Sequence, residues 1–191
     1  MQKFPSALEK VKEIGWYVMF EKIAEHHIGV TKALCQSFYG STVKFGGLEF
    51  TVTEESISHA IDVVPEGERW YKRQTINEDY SQFLLPAHKN LDWSQGIQRD
   101  FLFKEWQDVL HIIQRYVTCE GRFGTVYRYH MRFLQHVTSA NKLNLPFYLL
   151  KSLEKMSVRA RDHPSSSNSN MFHHGLIKLL ITQELGKVER S

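Results

Sequence analysis

The sequence predicts a mainly helical domain that carries one small β-hairpin at about residues 42–52. Apolar residues recur at spacings of three and four over much of the chain, which is typical of amphipathic helices. Two short runs of alternating apolar and polar residues flank Gly46-Gly47, a pattern that favours a hairpin. With 42% hydrophobic and 13% aromatic residues, the 191-residue chain can form a sizeable core.

Short helices are predicted before the hairpin. Residues 7–40 have helical spacing in pieces, and we expect breaks at Gly15 and Gly29 because glycine destabilises a helix interior by about 1 kcal/mol. The last of these pieces runs from Thr31 to Tyr39. A lone hairpin is marginally stable in water, so the hairpin is expected to pack on a helix.

A capped helix is predicted directly after the hairpin. Thr53 is a suitable N-cap, and Glu54 and Glu55 follow in the first turn, where the helix dipole favours anions. Pro65 closes this unit. From there to residue 96 large aromatic residues are scattered among charges, which predicts irregular structure tied to the core, with one helix near residues 78–85.

Three further helices are predicted in the second half of the chain. The first has its core-facing stripe between Trp106 and Val117, and glycines 121 and 124 interrupt the chain after it. Thr125 is expected to cap the second helix. The third begins near Pro146, because proline is favoured in the first turn.

The chain is expected to be one domain with an appended helix. Residues 1–162 form the helical domain with its hairpin, and residues 163–170 are rich in serine, proline and asparagine, which predicts a mobile linker. Residues 171–191 are expected to form a C-terminal helix that packs on the domain.

Composition favours a protein of the nucleus or cytoplasm. No stretch approaches the ~20 apolar residues that cross a bilayer, so no membrane association is expected. The charged first 12 residues do not have the pattern of a secretory signal. The two cysteines, Cys35 and Cys119, lie far apart in sequence and fit a reducing compartment.

The residue patterns of metal sites and catalytic centres are absent from the sequence. His26-His27 and His173-His174 are adjacent pairs, whereas ligands on one helix face need a spacing of three or four. There is no G-x-S-x-G motif, and we therefore expect no enzyme, no metal and no cofactor. Two alternatives stay open: a zinc site assembled from the two cysteines and a histidine, and an active-site pocket lined by His130, His136 and a carboxylate.

Positive charge is concentrated in the second half of the chain. Residues 1–99 contain 11 Lys and Arg against 13 Asp and Glu, whereas residues 100–191 contain 13 against 8. Between residues 111 and 161 there are nine basic residues and two acidic ones, Glu120 and Glu154. This asymmetry points to a polyanionic partner.

The spacing of these cations predicts a basic surface on two helices. Residues 128 and 132, and residues 151, 155 and 159, recur at intervals of four, so each set shares one helix face. Tyr127 and Tyr129 lie among the arginines, where they could stack on bases. The predicted nucleic-acid contacts are Arg122, Arg128, Arg132, Lys151, Lys155 and Arg159. The alternative for these residues is a solvated helix face with no partner.

A second hypothesis is a protein-interaction or self-assembly module that does not bind nucleic acid. Its basis is the group of aromatic residues between Trp70 and Trp93, which would have to form an exposed apolar surface. Such a module is expected to associate with itself or with another protein.

Short motifs in the chain resemble a known family. They are Phe38-Tyr39-Gly40, residues 43–50, 53–57, 61–67, 115–117, 128–134 and 145–147. Together they resemble the plant transposon protein domain over about residues 31–156, with a departure at residues 62–65, where the family's leucine-glycine pair is missing. The resemblance implies a plant, retroelement-derived helical module used for binding. It supplies no active site and no functional residues.

Overall fold

A computed structural model shows a mainly helical chain, as the sequence predicts. It describes residues 7–22, 37–39, 41–72, 79–89, 91–118, 123–139, 142–162 and 173–188. Within these ranges there are seven α-helices, a three-stranded antiparallel sheet and a two-stranded antiparallel pair. The predicted fold class is confirmed.

The helices and strands follow each other in a simple order. The helices are α1 (Ala7–Glu13), α2 (Trp16–Lys22), α3 (Glu54–Ile61), α4 (Lys104–Ile113), α5 (Arg128–Thr138), α6 (Leu145–Asp162) and α7 (His174–Val188). The strands are β1 (Phe38–Tyr39), β2 (Thr42–Phe45), β3 (Leu48–Thr51), β4 (Ile97–Gln98) and β5 (Thr125–Val126).

The predicted hairpin is formed by β2 and β3 around the two glycines. Gly46 and Gly47 have φ angles of 58° and 82°, which glycine adopts without the steric cost that other residues meet. The helix predicted over Thr31–Tyr39 is wrong at its end, because Phe38 and Tyr39 form β1 and pair with β2. Pairing with β2 supplies the backbone hydrogen bonds of β1. Its two side chains point to opposite sides of the sheet, so that Phe38 is buried while Tyr39 is exposed. Residues 31–36 lie outside the described ranges.

Helix α3 begins with the cap that the sequence predicts. The Thr53 hydroxyl accepts a hydrogen bond from the Ser56 amide at 3.1 Å, and the Ser56 hydroxyl accepts one from the Thr53 amide at 2.9 Å. The helix ends at Ile61, a few residues before the predicted stop at Pro65, because Asp62 takes the left-handed conformation (φ 60°).

The predicted helix near residues 78–85 is reduced to short 3₁₀ turns, at Ser81–Phe83 and Pro86–His88. The Asp79 side chain bonds the Ser81 amide at 2.8 Å and so favours a local turn over a continuous helix. Residues 73–78 lie outside the described part of the chain.

The cap predicted at Thr125 is wrong. Thr125 and Val126 form β5, which pairs with β4, and α5 begins only at Arg128. The side chain that contacts the start of α5 is His130, whose Nδ1 accepts the Tyr127 amide at 3.0 Å. Tertiary pairing with a strand almost 30 residues earlier therefore overrides the local propensity of threonine.

Helix α4 continues into a π-helical turn at Gln114–Thr118, which sequence periodicity does not predict. Gln114 is fully buried, and its side-chain amide donates to the Thr125 carbonyl at 2.9 Å. This bond ties the end of α4 to β5.

The core is built around aromatic side chains of α5, α6 and the segment before residue 72. The Phe133 ring lies 4.9 Å from that of Trp70 and 4.8 Å from that of Tyr148, both in edge-to-face geometry. The backbone of Glu68 bonds Lys142 and Asn144, which holds this segment against the start of α6. Helix α7 packs on α3, so the C-terminal helix contacts the domain; the predicted linker falls on residues the structure leaves undescribed.

Candidate nucleic-acid interface

The long helix α6 presents cations on its outward face. Lys151 and Lys155 lie one turn apart; Lys155 is exposed, and no acid among the described residues contacts it. Lys151 bonds Glu154 at 2.8 Å. Arg159 lies in the same helix, but its side chain is outside the described part of the chain.

Aromatic rings lie beside these cations at both ends of the helix. Near the C-terminal end, the Arg161 guanidinium lies 5.2 Å from the centre of the Tyr39 ring, and that tyrosine is 63% exposed. Near the N-terminal end, the Phe147 ring has Arg69 at 5.5 Å and Lys151 at 5.9 Å. Strand β1 therefore brings Tyr39 to the cation at the C-terminal end of α6, a combination that the sequence does not indicate.

Arg132 faces a different environment from the one predicted for it. Its guanidinium bonds Glu68, lies 4.8 Å from the centre of the Trp70 ring, and has a side chain only 12% exposed. Trp70 in turn donates its indole N–H to His136 Nε2 at 2.9 Å. Arg132 is thus part of a polar cluster that attaches the segment before Trp70 to α5, and an acid from the first half of the chain neutralises it.

Arg128 lies apart from the α6 row. Its guanidinium is 5.9 Å from the centre of the Trp93 ring. The pKa of Asp92 is lowered, chiefly by hydrogen bonds from Ser94 and to a smaller extent by Arg128, so that carboxylate offsets part of the arginine charge.

The two tyrosines expected to stack on bases stack on each other. The Tyr127 and Tyr129 ring centres are 5.8 Å apart with an interplanar angle of 8°. Each ring therefore offers at most one open face to another aromatic group.

The predicted single surface on two helices is thus divided. Lys151 and Lys155 lie together on α6, whereas Arg128 and Arg132 have partners of their own on α5. Arg122 lies outside the described residues.

A second cationic cluster, which the spacing analysis missed, lies at the end of α4. Arg99 Nη1 is 2.8 Å from His111 Nδ1, and the Phe123 ring centre is 5.1 Å from that of His111. Burial, followed by the positive charges of Arg99 and Arg115, lowers the pKa of His111. Arg99 and His111 are 12 residues apart, so no helical spacing reveals their contact. The spacing of four between His111 and Arg115 does indicate that these two share one helix face.

The enzyme alternative required His130, His136 and a carboxylate in one pocket. His136 and Glu68 do line an open cleft of about 320 Å³, and the His136 Nε2 to Glu68 Oε2 distance is 3.7 Å. His130 is not among the residues lining it; this side chain is buried and contacts Tyr127 and Thr118.

Within the described ranges, no group of three or more His, Cys, Asp or Glu side chains is arranged to hold a metal ion. The two cysteines lie outside those ranges, so the structure gives no geometry for the zinc alternative.

Comparison with known proteins gives no match to a protein-family model, to a curated protein or to a solved structure. The resemblance to the plant transposon protein domain stays a prediction. None of the helices that the structure describes is both long enough and apolar enough to span a membrane.

Proposed function

We propose that the protein is a non-enzymatic binding module, of plant retroelement ancestry, that binds single-stranded nucleic acid along the outer face of α6. The observation that carries the proposal is the pair Lys151 and Lys155 on one face of α6, together with Arg161 beside the exposed ring of Tyr39 near the end of the same helix. Cations attract the phosphates of a strand, and an exposed ring offers a stacking platform to a base. The ancestry rests only on the resemblance over residues 31–156.

A single strand suits this surface better than a duplex. The cations lie on one helix, and the exposed ring lies beside its C-terminal end. A base within a duplex is already stacked on both faces, so Tyr39 can contribute to stacking only when the strand is unpaired. The predicted preference is therefore for single-stranded RNA or DNA, without strong sequence specificity.

The proposal is tested by fluorescence anisotropy with a labelled oligonucleotide across a salt series. Replacing Lys151 and Lys155 by Gln removes two phosphate contacts, so the slope of log K against log salt should fall by about 1.4, at roughly 0.7 per contact for a single strand. The matched control replaces Lys104 and Lys187 by Gln, which removes the same charge from exposed positions on α4 and α7.

A slope that falls equally in both double variants would show a general effect of net charge and would remove α6 as the interface. Absence of binding by the unmodified protein at low salt would end the nucleic-acid proposal.

Tyr39 provides a second, independent measurement. The Tyr39→Leu variant keeps an apolar side chain on β1 but removes the stacking face, which contributes roughly 1–3 kcal/mol per base in single-strand binding. Affinity for a single strand should fall by about tenfold, while any weak affinity for a duplex of the same length should be unchanged.

The alternative, a protein-interaction module, loses the surface on which it was based. Trp70, Tyr80 and Phe83 are all buried in the core, so they form no exposed apolar patch. Light scattering across a concentration series tests self-association directly. This alternative is favoured if the unmodified protein and the Lys151 and Lys155 double variant both form a dimer and neither of them binds the oligonucleotide.

A further inference from the structure

The position of Arg99 is fixed by the pairing of β4 with β5. Its amide donates to the Gly124 carbonyl at 2.9 Å, directly beyond the strand pair. Gly96, with φ of 76°, permits the close approach, because a Cβ there would lie 2.9 Å from the Val126 carbonyl oxygen. Arg99 is therefore held beside the end of α4 by backbone contacts, and its side chain reaches His111.

The contact between Arg99 and His111 fixes the histidine tautomer. A guanidinium has only donors, so His111 Nδ1 must accept the bond at 2.8 Å. The proton of the neutral imidazole then lies on Nε2, which is available as a donor. A neutral imidazole, unlike a carboxylate, does not offset the positive charge of the arginine bonded to it.

The charges facing His111 are mostly positive. Arg99 bonds it and Arg115 follows it by four residues, whereas among the described residues Asp108, one turn earlier on α4, is the acid that opposes them. The Asp108 carboxylate is itself bonded to Lys104 at 2.9 Å. The Phe123 ring covers another side of the imidazole. Arg115 is exposed, while Arg99 and His111 are half-buried, so a small anion can reach the cluster.

We propose that Arg99, His111 and Arg115 form a binding site for a phosphate group that carries two negative charges. Two guanidinium groups supply several N–H donors, and the His111 Nε2–H adds another, which matches the acceptors of a phosphate monoester or of free phosphate. The site lies on α4, on the π-helical turn that continues it and on the segment before it, and it does not depend on nucleic-acid binding by α6.

The site predicts that anion affinity depends on pH. Without a ligand, burial and then the neighbouring positive charges hold the pKa of His111 below its ordinary value. A bound dianion offsets those charges and favours the protonated imidazole, in which Nδ1 no longer accepts from Arg99 and both side chains donate to the anion, so binding and proton uptake assist each other. Affinity should therefore rise as the pH falls from about 7.5 to about 5.5. Sulfate is a suitable probe because its charge stays constant over this range.

The experiment follows the His111 imidazole by NMR while inorganic phosphate or sulfate is added to the full chain at constant ionic strength. We expect a saturable shift of the His111 signals and an apparent pKa that rises with sulfate concentration. Arg99→Gln should weaken binding by about tenfold, the loss of one charge-assisted contact. Lys187→Gln, which removes one exposed charge on α7, should leave the affinity unchanged.

Two further variants keep the test decisive if Arg99→Gln does not fold. His111→Gln retains a donor but cannot titrate, so sulfate should still bind with no pH dependence. Arg115→Gln should weaken sulfate binding several-fold. The site is refuted if sulfate causes no saturable shift at His111, or if the Arg115 and Lys187 variants bind equally well.

The source of the phosphate is identified with two oligonucleotides that differ only in a 5′-phosphate. Tighter binding of the phosphorylated strand, lost in Arg99→Gln, identifies a nucleic-acid end as the ligand. Equal binding of both strands, together with saturable binding of inorganic phosphate, identifies a free phosphate group. Binding of inorganic phosphate by the Lys151 and Lys155 variant separates this site from the α6 interface.

Discussion

Replacing Arg132 distinguishes a structural arginine from a nucleic-acid contact. In the structure its side chain is only 12% exposed, bonds Glu68 and lies 4.8 Å from the centre of the Trp70 ring. A hydrogen bond between charged groups contributes about 1.5–3 kcal/mol, reduced here because Glu68 is 47% exposed, and a partly desolvated cation–π contact contributes about 1 kcal/mol. Arg132→Met, which keeps the apolar stem, should therefore lower the free energy of unfolding by about 2 kcal/mol.

The assay is urea denaturation followed by circular dichroism, with Glu68→Gln and the double variant completing a thermodynamic cycle. Because the two side chains contact each other, the double variant should lose less than the sum of the single losses, by about 1 kcal/mol. A loss of about 2 kcal/mol corresponds to a fall in Tm of roughly 4–8 °C for a chain of this size.

The opposite result would be equally clear. The structural role is refuted if Arg132→Met leaves the free energy of unfolding unchanged and lowers the salt slope for oligonucleotide binding as a Lys155 variant does. Arg132 would then belong to the interface.

Three further predictions concern the fold. Gly67→Ala should lower the free energy of unfolding by about 2 kcal/mol or more, because the φ angle of Gly67 is 107° and a Cβ there would lie 2.4 Å from the Lys142 carbonyl oxygen. Urea denaturation measures this loss, and an unchanged midpoint would contradict the prediction. Thr53→Ala should cost about 1 kcal/mol through loss of its cap bond to Ser56, whereas the exposed Thr51→Ala is the control with a smaller effect expected. Since the pKa of His111 is lowered in the folded chain, the unfolded chain binds the proton first as the pH falls. Stability contributed by neutral His111 should be present above about pH 6.5 and decline below it, and the decline should be shallower in His111→Gln.

Local signals in the sequence were sufficient for much of the secondary structure. The turn at Gly46-Gly47 and the cap at Thr53 depend on residues within a few positions of each other, and both were confirmed. Helix α6 was expected from its apolar period and Pro146. Predictions failed where strand pairing competes for the backbone: Phe38-Tyr39 pairs with the next strand along the chain, and Thr125 pairs with a strand almost 30 residues earlier.

The candidate site was only partly predictable for the same reason. Spacing of four placed Lys151 and Lys155 on one face, which needs only the helical repeat. It could not show that Glu68, 64 residues before Arg132, reaches that arginine. Nor could it bring Tyr39 to Arg161 or Arg99 to His111.

The sequence alone determined the helical class, the hairpin, the first cap and the excess of positive charge after residue 100, because each depends on composition or on neighbours along the chain. The tertiary structure decided which cations remain available to a ligand. Charges are neutralised or exposed according to distance in space, and contacts between distant segments, such as Glu68 with Arg132, set those distances.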